Sequence, residues 1–212
     1  MKLYGYFRSS AAYRVRIALN LKDVKVEHVP VHLIKDGGRQ KLPEHLVRNP
    51  QGLVPVLELD DGTVLTQSLA IMEYLDAVHP QPKLMPSDPI LAARVRAVAL
   101  AVACDIHPLN NLKVLKYLKG PLQLGQDQID AWYRHWILQG GLEAIEQMLP
   151  GDPFCFGQAP TLADCCLIPQ LYNARRLKVD YGHLSKVIRV EAACAALDGF
   201  AAAEPSRQAD AE

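Results

Sequence analysis

The 212 residues carry 23 basic and 23 acidic side chains, a formal net charge of zero, and half of them are apolar. That balance excludes general attraction to nucleic acid or to an anionic membrane, while the apolar content suffices for one large core or two small ones. No apolar run reaches the roughly 20 residues that span a bilayer, and the chain enters a strand pattern at once, without a signal-peptide layout.

Residues 2–6 read as a buried strand that stops at Arg8. Ser9 and Ser10 follow, and Val15, Ala18 and Leu19 then give one apolar helical face. Residues 24–31 read as a second strand. Residues 35–50 contain Gly37-Gly38 and a short polar helix pattern, expected to be mobile or peripheral. Residues 56–59 and 64–66 form a hairpin signal around Asp61-Gly62. Ser68 can cap a helix presenting Leu69, Met72 and Leu75, ended by Pro80. The expected order is β-α-β-α-β-β-α.

Pro80, Pro82, Pro86 and Pro89 mark a linker. It divides an α/β domain, residues 1–80, from an all-helical domain, residues 88–212. In the latter, residues 89–118 read as one helix, apolar on nearly all sides, and residues 126–149 as a second. A third runs from the capping signal Thr161-Leu162-Ala163-Asp164 toward Arg176, kinked at Pro169. A fourth covers residues 185–198 and stops at Gly199. Residues 201–212 are expected to be poorly ordered.

The five cysteines form no CxxC pair. They read as free thiols of a reducing cytoplasm, and metal-ligand spacing is absent.

Three local signals could carry chemistry. Ser9-Ser10 opens a helix after a strand, either as an anion seat or as an ordinary N-cap. A helix end with a hydroxyl would favour the thiolate of a bound thiol. Val54-Pro55 enters a strand. A cis bond there would turn the Val54 backbone outward to pair with an extended peptide ligand. Gln67-Ser68 opens another helix and could take a carboxylate, or simply cap it.

Taken together, these signals resemble the zeta class of the glutathione transferase family. The resemblance rests on Ser9-Ser10-Ala11, on the run from Arg14 to Leu19, and on the segment from Leu33 to Gly38. It also rests on Val54-Pro55, Gln67-Ser68-Leu69-Ala70-Ile71 and Leu162-Ala163-Asp164, and it covers residues 1–200. It implies a thioredoxin-like N-terminal domain, an all-α C-terminal domain and a homodimer. The Ala-rich residues 92–104 would lie at the subunit contact.

The resemblance further implies reduced glutathione as cofactor. Ser9, Ser10 and Ala11 would border its sulfur, and Gln40, Val54 and Pro55 its middle and glycine end. Gln67 and Ser68 would hold the γ-glutamyl end, with His107, Asn111 and Leu112 approaching from the second domain. Arg8 and Arg176 would hold the carboxylates of a small cis-enone diacid, with Arg175 a rival for Arg176. The implied reaction is isomerisation of maleylpyruvate to fumarylpyruvate. Maleylacetoacetate isomerisation, or conjugation and dehalogenation of small acids, are the alternatives. Class relatives usually carry cysteine where this chain has Ala11, which argues against protein-thiol redox chemistry.

Overall fold

The computed structural model describes all 212 residues. They form two compact units: Met1–Leu84 with Ala195–Glu212, and Met85–Cys194. No helix is long and apolar enough to cross a membrane.

In the first unit, strands β1 (Lys2–Gly5), β2 (Glu27–Pro30), β3 (Val56–Glu58) and β4 (Val64–Thr66) form one sheet in the order β2-β1-β3-β4. β1 pairs parallel with β2 (Leu3 opposite His28) and antiparallel with β3 (Leu3 opposite Leu57). β3 and β4 make the expected hairpin, closed by Leu59 N–H on the Thr63 carbonyl at 2.8 Å. Helices α1 (Ser10–Leu21), α2 (Pro43–Arg48) and α3 (Ser68–Val78) complete the α/β order.

β2 is shorter than the strand expected over residues 24–31. Lys22 caps α1, Asp23 takes φ +51°, and Val24 N–H still bonds the Leu19 carbonyl at 2.9 Å. The chain is therefore finishing a helix where apolar composition suggested a strand. Residues 35–50 are also less peripheral than expected. Two 3₁₀ turns, Lys35–Gly37 and Arg39–Lys41, lead into α2, and Gln40 and His45 are buried.

The second unit is helical: α4 (Pro89–Leu100), α5 (Leu112–Lys119), α6 (Gln126–Ile137), α7 (Glu143–Met148), α8 (Leu162–Arg176) and α9 (Ser185–Ala195). The helix expected over residues 89–118 is interrupted. α4 runs on through a π-turn (Ala101–Ile106) and then meets Pro108, which lacks an amide to continue the ladder. Asn111 restarts the chain by accepting Lys113 N–H at 3.1 Å. Nor is α4 buried all round: Val95, Val98 and Ala99 face inward, while Ile90 and Leu100 are exposed.

The chain then returns to the first unit. Residues expected to be poorly ordered form α10 (Asp198–Ala203) and a 3₁₀ turn (Pro205–Arg207). Phe200, Ala203 and Pro205 are buried, so this stretch has apolar anchors that its small-residue composition concealed. Gly199 is part of α10 and does not end a helix. A Cβ there would lie 3.0 Å from the Leu21 side chain, so glycine lets α10 approach α1.

Asp164 organises the start of α8. It accepts Thr161 N–H and Oγ1–H at 2.7 Å each and Cys155 N–H at 2.8 Å, all buried. Asp164→Ala leaves three buried donors unpaired. A stability loss of about 3 kcal/mol is expected in denaturant unfolding.

Candidate active site

The turn between β1 and α1 presents the first signal. Ser9 N–H closes it on the Tyr6 carbonyl at 2.9 Å. Ser9 is the N-cap of α1, and its Oγ accepts Ala12 N–H at 3.2 Å. A hydroxyl that accepts still has its own proton to donate. The first turn of α1 contains no acidic residue, so its positive end is not neutralised. Ser10 is buried, whereas Ser9 and Ala11 are half-buried. Of the two hydroxyls, Ser9 is the one placed to meet a ligand. Arg8 is exposed, its guanidinium 6.0 Å from the Tyr6 ring and 5.9 Å from the Phe7 ring.

The other first-unit residues are joined to this turn by a chain of contacts. Arg14, buried on α1, donates to Ser68 Oγ at 3.2 Å and so ties α1 to the start of α3. Gln67 caps α3 with φ +68°, a conformation rare for a residue with a side chain, and donates from Nε2 to Gln51 Oε1 at 2.7 Å. The Leu53 carbonyl accepts from His45 Nε2 and Asn49 Nδ2, each at 2.9 Å. These bonds from α2 fix the chain leading into Val54-Pro55, whose peptide bond is cis. Val54 itself packs on the cluster of Tyr4, Val31 and Val56.

Gln40 sits above this segment. Its Nε2 donates to the Leu33 carbonyl at 3.4 Å, while its Oε1 is buried without a hydrogen-bond partner. Gly38, at φ +107°, lies against that carboxamide, where a Cβ would come within 2.8 Å of it. An orphaned buried acceptor suits a ligand that brings an N–H. His45, Asn49 and Gln51 carried no motif in the sequence. Their part is visible only once α2 folds over the Leu53 carbonyl.

The second-unit residues are arranged as follows. His107 ends the π-turn, its N–H on the Val102 carbonyl at 2.9 Å. Asn111 caps α5, which Leu112 begins. Arg175 forms an ion pair with Glu191, which also accepts from the Tyr181 hydroxyl at 3.1 Å. Both arginines are exposed, and the ion pair with Glu191 is made by Arg175.

All five cysteines lie in the second unit. Burial and the neighbouring Asp164 push the Cys155 and Cys194 thiols well up, which leaves them inert. The electropositive end of α1 thus lies in a unit that has no thiol of its own.

Comparison with known proteins identifies the family. A family model for the glutathione S-transferase N-terminal domain matches residues 3–83, and one for the C-terminal domain matches residues 126–203. A maleylacetoacetate isomerase from Pseudomonas aeruginosa is 48% identical over 212 residues, covering 99% of this chain and 98% of that one. A maleylpyruvate isomerase from a Ralstonia species is 44% identical over 219 residues, covering 99% of each. A holo structure of a zeta-class maleylpyruvate isomerase superposes with a TM-score of 0.95 at 43% identity, covering all of both chains. A maleylacetoacetate isomerase from Methylobacterium extorquens AM1, with bound malonate and glutathione, gives 0.94 at 40% identity, again over both full chains.

The chain belongs to the glutathione S-transferase family. Within it, the chain is of the zeta class, and the Methylobacterium extorquens neighbour holds glutathione. The residues present fit that tripeptide. The α1 end would suit a thiolate, Gln40 Oε1 lacks a donor, and the start of α3, at Gln67-Ser68, carries no acidic residue that would repel a carboxylate.

Ser9→Ala is expected to raise the pKa of the bound glutathione thiol, read from thiolate absorbance. It should cost about 1 kcal/mol of stability as a lost N-cap. An unchanged thiol pKa would remove Ser9 from the sulfur's surroundings.

Proposed function

We propose that the chain is a glutathione-dependent cis–trans isomerase that converts maleylpyruvate to fumarylpyruvate in the breakdown of aromatic compounds. The observation that carries this reading is the uncompensated α1 end capped by Ser9, beside an exposed Arg8, in a unit without cysteine. Bound glutathione supplies a thiolate that adds reversibly to the cis double bond, so that the bond can rotate.

Ser9 donates a hydrogen bond from its hydroxyl to the sulfur and, with the α1 end, keeps the sulfur deprotonated near neutral pH. Gln40, Val54, Gln67 and Ser68 hold the peptide in register, which replaces a bimolecular encounter by a positioned one. Arg8 holds a substrate carboxylate and stabilises negative charge as it develops on the substrate oxygen. The resemblance assigns the other carboxylate to Arg176. Ala11 can neither donate to the sulfur nor form a mixed disulfide with it, which favours isomerisation over thiol–disulfide exchange.

Maleylacetoacetate is the second candidate substrate, on the 48% identity to the Pseudomonas aeruginosa isomerase. The two acids share the reacting bond and differ at the distal end. The kcat/KM for each, with glutathione present, decides between them. Conjugation and dehalogenation are separated by mass balance, since isomerisation returns glutathione unconsumed. We place the enzyme in the cytoplasm as a homodimer. The exposed Val47, Ile90 and Leu100 offer apolar contact surface, and light scattering reads the state.

Maleylpyruvate is expected to isomerise only when glutathione is added, and equal rates without it would reject the mechanism. Arg8→Ala and Arg176→Ala should each lower kcat/KM about 10- to 100-fold, as loss of one charge-assisted contact predicts. Near-normal kinetics would remove that arginine from the site.

A further inference from the structure

A cavity of about 170 Å³ lies in the first unit, lined by residues of β1, β2, α1 and the stretch after α10. Two charged groups of its lining, Arg16 and Asp210, are matched within the protein. Arg16 donates from Nε to the Ala203 carbonyl at 3.0 Å and from Nη2 to the Phe7 carbonyl at 2.9 Å. The Asp210 carboxylate accepts Phe7 N–H at 3.0 Å. His28 is the remaining titratable group near Arg16, and burial, then the Arg16 charge, pull its pKa down, so it stays neutral. The cavity is thus a seam, with the C-terminal tail as one wall.

The seam has consequences for the turn above it. Phe7 is the residue before Arg8, and both its backbone polar groups are held from the seam. Further along, Glu212 forms an ion pair with Lys35 and lies 3.4 Å from His32 Nε2. His32 Nδ1 accepts Ile34 N–H at 3.1 Å and Lys35 N–H at 2.8 Å, so its proton is on Nε2 and points at Glu212. The His32 carbonyl in turn accepts Arg39 N–H at 2.8 Å, one residue before Gln40. Nine residues of tail therefore grip two segments that are separate in sequence. One carries Arg8 and Ser9, the other Gln40.

We infer that the tail, residues 204–212, is a strap that positions the glutathione site, with Asp210 as a positioning residue for the Phe7–Ser9 turn and Glu212 for the segment leading to Gln40. Neither carboxylate touches the ligand. Asp210 sets where the Ser9 hydroxyl and the α1 end meet the sulfur, by fixing the amide two residues earlier. The inference rests on the reading that this turn seats glutathione.

The test measures glutathione affinity by calorimetry and the bound thiol pKa by absorbance, in the full chain. Asp210→Ala is expected to weaken binding about five- to tenfold and to raise the thiol pKa, as loss of a charge-assisted bond to Phe7 N–H predicts. Asp210→Asn keeps an acceptor for that amide and should restore binding to within about twofold of wild type. Glu212→Gln, at an exposed position, gives a folded variant even if Asp210→Ala does not fold. It should speed hydrogen exchange over residues 32–40 and weaken binding about twofold. Variants with wild-type affinity, thiol pKa and exchange overturn the strap alone. A wild-type chain that binds no glutathione overturns the functional reading with it.

Discussion

What the first unit offers a ligand depends on the turn between β1 and α1, and that turn is held by one buried guanidinium. Arg16 is 4% exposed and donates to the carbonyls of Tyr6, Phe7 and Ala203. A planar fork with five donors can serve three carbonyls at once, whereas a lysine at this position would be a single compact charge. Burial pulls its pKa down to about 10, so it remains charged at neutral pH. The charge is answered by carbonyl dipoles and by Asp210. With its carbonyls held below, the turn leaves the Ser9 hydroxyl and the α1 amides for a ligand.

The second guanidinium of α1 does related work two residues earlier, on a different side of the helix. Arg14 reaches Ser68 at the start of α3, so the ends of α1 and α3 are set relative to each other by a buried bond. Ligand geometry is thereby built into the packing of the unit. This is how a short peptide can be held at its sulfur and at its charged terminus by residues nearly 60 apart in sequence.

Local signals in the sequence sufficed for the β-α-β-α-β-β-α order of the first unit. A serine pair after a strand, a proline entering a strand and a polar pair opening a helix are all short-range patterns. Part of what was missed has a physical cause in common: a residue whose partner is distant in the chain. Arg16 bonds Ala203, 187 residues away, and Phe7 bonds Asp210, 203 away. Residues 201–212 look unstructured by composition because their order comes from α1 and the seam. Likewise His45 and Asn49 sit in a polar, unremarkable helix whose role is to hold the Leu53 carbonyl. The break at His107-Pro108 was legible in principle, since proline there cannot extend the helix. It was masked by the apolar run on either side.

The ten α-helices differ in one electrostatic respect that bears on function. α7 continues α6 through a π-turn and has no free start, whereas α2, α6, α8 and α10 each carry an acidic residue in the first turn, namely Glu44, Asp127, Asp164 and Asp198. α4 is capped by the Asp88 carboxylate, and α9 by Glu146, which accepts Lys186 and Val187 N–H. That is the ordinary way to neutralise a helix end, worth about 0.3–1 kcal/mol each. Only α1, α3 and α5 forgo it, with the neutral caps Ser9, Gln67 and Asn111. Those are the helices that begin at the residues assigned to glutathione. A stabilisation used at six helix ends is left unused at these three, and an anionic tripeptide is the group that would supply it.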